Sequence, residues 1–260
     1  MLQFVDTHSH LFLEEFDEDR PAVIERAKEA GVLRIFMPNI DSTTIQRLER
    51  MCDDYPGYCY PLMGLHPTSV SENYRKELDI VHDKLLDQGG RYIGIGEIGI
   101  DLYWDRTFEQ EQEDAFREQV QWSVDLDMPI VIHCRNAFDG IYKVLCEFDA
   151  DQIRGIFHSF TAGEGEAERM LEFPHFLLGI NGIATFKKSA VPSALKMIPV
   201  ERVVVETDSP YLAPVPCRGK RNESAFAKYT LQRLAQVYGL TDEEMALQTN
   251  DNVSKVFKYA

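Results

Sequence analysis

Eight short apolar runs recur along the chain, with longer segments of helical period between them. They fall at residues 3–7, 33–38, 59–65, 92–97, 130–133, 155–157, 176–180 and 202–207. Strands separated by helix-length segments cannot pair as tight hairpins. They pair in parallel through crossovers, which lay the helices over the sheet. The intervening segments carry helix punctuation. Asp19-Arg20-Pro21 opens the first, where proline suits an initial turn, and Ala30-Gly31 ends it. Phe116, Val120 and Val124 recur every four residues in 109–127, and Ala227, Leu231, Leu234 and Tyr238 follow the same helical spacing before Gly239. A closing helix over 242–259 is expected to pack outside the last unit. Eight strand–helix units in 260 residues match the size of an α/β fold of the (β/α)8 TIM-barrel type. An open doubly wound sheet is the alternative. No linker or low-complexity tract interrupts the sequence, so residues 1–260 are expected to form one domain.

Both architectures place function at the C-terminal ends of the strands, and the residues there are not random. The first strand delivers His8 and His10, the third His66, the fourth Glu97, the fifth His133, the sixth His158 and the eighth Asp208. Five of the seven histidines therefore lie at strand ends; His82 sits in a helix and His175 just before a strand. His8-Ser9-His10 alone is a weak motif, although alternation points both rings the same way. Together with the others it is strong, because burying so many titratable groups without a cation is costly. Polar groups on both the first and last strands favour a closed barrel, which brings them together.

The donor count exceeds one catalytic site, which uses about three protein ligands plus water. Sharing one carboxylate divides the set. His8, His10, Glu97 and Asp208 would hold one divalent ion, and Glu97, His133 and His158 a second. Two ions about 3.5–4 Å apart clamp attacking and leaving oxygens and acidify water. Mixed imidazole and carboxylate ligation suits Zn, Mn or Ni, whereas Mg prefers oxygen, and the sequence leaves the metal's identity open. Glu206 shares a face with Asp208 and is a ligand, a support or a filler of the barrel interior.

A net charge of −16 argues against a general nucleic-acid coat protein. It leaves room for an enzyme that handles a few phosphates through metal ions and a local basic loop, and residues 216–221 (PCRGKR) are such a loop. Five cysteines without a Cys-x-x-Cys pair suggest neither a disulfide framework nor a thiolate zinc site. Cys134, next to His133, should face the opposite side of its strand. No apolar stretch approaches the ~20 residues of a membrane span, and the N-terminus lacks a signal-peptide pattern. The expectation is a cytoplasmic protein with no membrane partner, and a monomer.

At this point the residues resemble a known family. His8-Ser9-His10, Gly64-Leu65-His66-Pro67, residues 94–101, residues 128–135, residues 158–163, residues 206–212 and residues 218–223 are similar to the motifs of TatD-like metal-dependent deoxyribonucleases, which are amidohydrolase-type barrels. The likeness runs from about residue 4 to residue 257. It implies divalent ions at His8, His10, Glu97, His133, His158 and Asp208, and hydrolysis of DNA phosphodiesters. Asp208 and Glu97 would be the catalytic carboxylates: Asp208 orients or deprotonates the water, and Glu97 stands where many related barrels carry a modified bridging lysine. His66 is implied at the substrate phosphate or leaving group, and Arg135, Arg218 and Lys220 at phosphates. The implied partner is DNA, as single strands or duplex ends. Phe160, Tyr211 and Tyr103 are candidates for stacking on bases. The same barrel could instead hydrolyse another small ester, amide or lactone, since one fold hosts many chemistries. A non-catalytic metal-binding scaffold is the remote third reading.

Overall fold

A computed structural model describes residues 2–87 and 90–259; residues 1, 88, 89 and 260 of the expected domain lie outside the described residues. Strands and helices alternate: β1 (Phe4–Asp6), α1 (Arg20–Glu29), β2 (Val32–Pro38), α2 (Ile45–Asp54), β3 (Cys59–Leu62), α3 (Tyr74–Asp87), β4 (Ile95–Asp101), α4 (Glu109–Asp125), β5 (Ile130–Arg135), α5 (Phe138–Leu145), β6 (Gly155–Phe157), α6 (Glu164–Leu171), β7 (Phe176–Ile180), α7 (Val191–Ala194), β8 (Val203–Val205), α8 (Ala227–Tyr238) and α9 (Asp242–Val256). Neighbouring strands pair in parallel, in the order β1-β2-β3 and β4-β5-β6-β7-β8.

Backbone hydrogen bonds join the two runs into a cylinder. Met63 N–H donates to Gly94 O and Gly96 N–H to Met63 O, both at 3.2 Å, which ties β3 to β4. Thr7 N–H donates to Val205 O at 3.1 Å, and Ser9 bridges Ser209 in parallel, which ties β1 to β8. Side chains reinforce that seam. The Ser9 and Ser209 hydroxyls lie 2.6 Å apart, and Thr207 Oγ1 donates to buried Asp6 Oδ2 at 2.8 Å. The closing seam decides for the (β/α)8 barrel over the open sheet.

The interior follows from the two-residue period of a strand. Val131, Ile156, Leu177 and Val204, each second in its strand, belong to a buried apolar cluster with Val5, Phe36 and Leu62. Two residues further along, the same inward direction carries His133, His158, Gly179 and Glu206. The cluster also contains Val253, Val256 and Phe257 from the end of α9. This corrects the expectation that the last helix packs outside the final unit. An apolar set so near the strand starts would otherwise meet water, and α9, packed on β1 and β8, supplies the cover. The Thr241–Glu244 capping box starts this helix: Thr241 Oγ1 accepts from Glu244 N–H at 3.2 Å, and Glu244 Oε2 from Thr241 N–H at 2.9 Å.

Most expected strands match within two residues, but three differ in ways that move the site. β3 stops at Leu62, so His66 lies in the segment after it. β4 continues to Asp101 and β5 to Arg135, so Glu97 and His133 sit within strands rather than at their ends. Among the described residues, no helix is long and apolar enough to cross a membrane.

The α9 cover gives the first prediction. Phe257 is buried 5.1 Å, ring to ring, from Phe36. Phe257→Ala should lower the unfolding free energy by about 3–5 kcal/mol, read as a fall in the urea midpoint. Metal content, governed from the opposite end of the barrel, should not change.

Candidate metal centre

Glu97 is buried in β4 with its two carboxylate oxygens facing different partners. Oε2 lies 3.0 Å from His8 Nε2 and 3.5 Å from His10 Nε2. Oε1 lies 2.8 Å from His133 Nδ1, 3.4 Å from His66 Nε2 and 3.7 Å from His158 Nε2. Asp208 completes the ring, its Oδ1 3.8 Å from His8 Nε2 and 3.7 Å from Nε2 of both His10 and His158. Residues from both ends of the chain thus converge on one carboxylate.

Among the described residues, donor atoms within 4.8 Å of one another form three groups: His8, His10 and Glu97; His66, Glu97 and His133; and His8, His158 and Glu206. The first contains three of the four residues expected around one ion and lacks Asp208. The second places His66, implied as a substrate contact, beside Glu97 and His133, with the His66 and His133 ring centroids 4.6 Å apart. His158 instead stacks on His8 at 3.5 Å between centroids. It still reaches both Glu97 and Asp208 through Nε2.

Two carboxylates behind the imidazoles were not assigned from sequence. Glu206 Oε1 approaches His158 Nδ1 at 3.0 Å, poorly aligned for a hydrogen bond, and accepts from Ser159 N–H at 2.6 Å. Gly179 makes the space, because a Cβ there would collide with the Glu206 carboxylate. Asp101 Oδ2 lies 2.9 Å from His133 Nε2, while its Oδ1 accepts from Tyr103 N–H at 2.9 Å. Asp101 comes four positions after Glu97, an even spacing that one longer strand would have put on the same face.

The protonation states of these donors suit a cation. Burial holds His8 well below its ordinary pKa, with the charge of His158 adding to the effect, so its ring is the neutral, ligating form. Burial alone would raise Glu97, but the imidazoles packed around it, His8, His66 and His158, outweigh it and hold Glu97 well below the usual range. Burial would also depress His133 and His158. Asp101 and Glu97 instead raise His133 to about 9, and Glu206, Asp208 and Glu97 raise His158 to about 10. Burial pushes Asp208 up to about 6. Buried Nδ1 atoms of His8 and His10 find no hydrogen-bond partner among the described residues. Their Nε2 atoms face each other at 3.1 Å beside two carboxylates, and the chemistry of this donor set fits a divalent cation.

The centre opens into a cavity of about 650 Å³, whose lining includes His66, Asp101, Trp104, Arg135, Asp208 and Tyr211. Arg218 and Lys220 are exposed and do not belong to that lining; Arg218 lies over the Phe186 ring at 3.9 Å. Arg221 in the same loop is engaged by Asp19 at 2.8 Å. Phe160 is 3% exposed and packs in the core, which removes it as a base-stacking candidate. Cys134 follows His133 in β5 and is half-buried.

Comparison with known proteins places this geometry in context. The family model described as TatD related DNase matches residues 5–258. An uncharacterized metal-dependent hydrolase, YabD of Bacillus subtilis, is 37% identical, covering 97% of this chain and 98% of the relative. A protein of Pantoea ananatis named 3'-5' ssDNA/RNA exonuclease TatD is 31% identical, covering 94% and 95%. Among solved structures, the TatD homologue YJJV from Escherichia coli superposes with a TM-score of 0.92 at 25% identity, covering 99% and 98%.

The site's electrostatics yield two predictions. His133 and His158 are protonated at neutral pH because their pKa values are raised to about 9 and about 10. Cation binding to these rings must displace protons, so apparent affinity should increase as pH rises from 7 towards 9. Titration calorimetry in buffers of different ionisation enthalpy checks this, and a binding heat independent of buffer would contradict it. Glu206→Gln, which keeps the shape but removes the charge behind His158, should weaken cation affinity about 10–100-fold in the same assay.

Proposed function

The chain belongs to the TatD-related DNase family and is a metal-dependent hydrolase, and on that premise we propose that it cleaves DNA phosphodiesters from strand ends with two divalent ions. One observation carries the reading: the two oxygens of Glu97 face separate sets of imidazoles. His8, His10, Glu97 and Asp208 would hold one ion. Glu97, His133 and His158 would hold the other. Zn, Mn or Ni suits this mixture of imidazole and carboxylate better than Mg. When bound, the ions supply positive charge that polarises a phosphoryl oxygen and acidifies water.

The chain's own groups do the rest. Asp208 lines the open cavity and takes the proton of the attacking water. The water oxygen bonds to phosphorus as the bond from phosphorus to the leaving sugar oxygen breaks. The proton then passes to that oxygen, giving a phosphomonoester and an alcohol. His66 and Arg135 line the same cavity. His66 offers a hydrogen bond to the phosphate or the leaving oxygen, and Arg135 a forked contact to phosphate. Arg218 and Lys220, outside the cavity, act as outer contacts to the strand. The relative named an exonuclease on single-stranded DNA and RNA supports a nucleic-acid substrate attacked at an end.

End-labelled single- and double-stranded oligonucleotides test the proposal. Cleavage should vanish with a chelator and return with added Mn or Zn. Asp208→Asn should lower kcat by about 10²–10⁴-fold, and Glu97→Ala should lose both bound metal and activity. Rising salt should weaken binding, with Arg218→Ala and Lys220→Ala each flattening that dependence by about one charge. Turnover of a simple ester without any oligonucleotide cleavage would overturn the phosphodiesterase reading.

A further inference from the structure

The chain has two tryptophans, and they are treated in opposite ways. Trp122 is buried and stacks on His82 at 4.6 Å between centroids, whereas Trp104 is 73% exposed. Trp104 lies just past the end of the strand that carries Glu97 and Asp101. Three aromatic side chains are exposed among the described residues, Tyr103, Trp104 and Tyr211. Trp104 and Tyr211 border the metal cavity, and Tyr103 lines an adjoining cleft of about 930 Å³. The two spaces share Cys134, Arg135, His158, Ser159 and Thr161. The three most exposed aromatic rings among the described residues thus gather at the mouth of one site.

Its local geometry is built. The Arg135 guanidinium lies 3.8 Å from the centre of the Tyr103 ring and 5.3 Å from that of Trp104. The Tyr103 and Trp104 rings meet edge to face, with centroids 4.8 Å apart and an 89° angle. Tyr103 and Arg135 therefore buttress Trp104 and leave most of the indole uncovered. A cation beside an uncovered aromatic face is the pairing that single-stranded nucleic acid needs, one for the phosphate and the other for a base. A duplex hides its base faces in its own stack, and a protein of net charge −16 has little general attraction for it.

We infer that Trp104, backed by Tyr103 and Arg135, is a stacking subsite for an unpaired nucleobase next to the phosphate being cleaved. The inference rests on the phosphodiesterase reading above and adds the group that selects single strands and frayed ends. The protein does so without reading base identity, because every base offers a π face.

The test compares a single-stranded oligonucleotide with one of equal length whose terminal residues are abasic, using metal-loaded protein. Trp104→Ala should raise KM for the base-bearing strand about 5–100-fold and leave kcat at saturation near that of the parent. Trp104→Phe should restore most of the loss. On the abasic strand the parent should already show the high KM, and Trp104→Ala should change it little. Emission from Trp104 should be quenched by the base-bearing strand in the Asp208→Asn background, while buried Trp122 reports that each variant is folded. An unchanged KM in Trp104→Ala, or an equal loss on both strands, overturns the subsite while leaving the nuclease reading intact. A parent protein that neither cleaves nor is quenched overturns both.

Discussion

A carboxylate sealed inside a barrel and surrounded by imidazoles is the interaction on which the site depends. Burial would keep Glu97 protonated, and it is the imidazoles around it that make it an anion. The same field divides the histidines, since burial makes His8 neutral while the carboxylates make His133 and His158 cationic. Protons on those rings balance the buried negative charge, and a divalent ion can replace them. The backbone around Glu97 is packed to suit. A side chain at Gly64 would meet the Gly96 backbone at 2.8 Å, and one at Gly96 would meet Val131 Cβ at 2.9 Å. Strands β3, β4 and β5 can close on Glu97 because these positions carry no side chain.

The barrel interior separates stability from chemistry by a single step of the strand period. Val131, Ile156, Leu177 and Val204 fill the lower half, and α9 covers them. His133, His158, Gly179 and Glu206 come next, and above them the cavity opens with Arg135 and Asp208 in its lining. Gly179 belongs to this pattern by omission. It is the one member of its set without a side chain, and the space it leaves is taken by the carboxylate of Glu206.

Much of this could be read in advance, for a physical reason. Alternating runs announce strands, and a strand end is where a parallel barrel can expose a polar group, so His8, His10, Glu97, His133, His158 and Asp208 stood out. What could not be read depends on where each strand stops and on what packs across the barrel. Asp101 was hidden because β4 runs four residues past Glu97. The grouping of His66 with Glu97 and His133 depends on the course of the segment after β3, which has no periodic signal. An aromatic residue in a loop carries no mark of whether it will pack, and Phe160 packs while Trp104 does not. The α9 cover is likewise a long-range contact that its own helical pattern cannot reveal.

The placement of Asp208 shows how the fold fixes a residue through its backbone and leaves its carboxylate without a close partner among the described residues. Asn136, Ser159 and Asp208, each one to three residues past the last paired residue of β5, β6 or β8, have φ of 53°, 52° and 58°. That left-handed conformation costs about 1–3 kcal/mol for a residue with a side chain and persists only where surroundings hold it. The surroundings are present. Asp208 N–H donates to His8 O at 2.9 Å across the β1–β8 seam, and Ser159 N–H donates to Glu206. Asp208 is therefore fixed through its backbone, while its Oδ1 stays 3.7–3.8 Å from three imidazole nitrogens, beyond direct hydrogen bonding. Glu97 is the opposite case, with both oxygens taken up by close partners. A carboxylate held by its side chain suits the constant task of binding cations. One held by its backbone keeps its oxygens available, on the proposed mechanism, for an ion and for the proton of the attacking water, and the closed seam between the first and last strands is what allows both kinds to share one site.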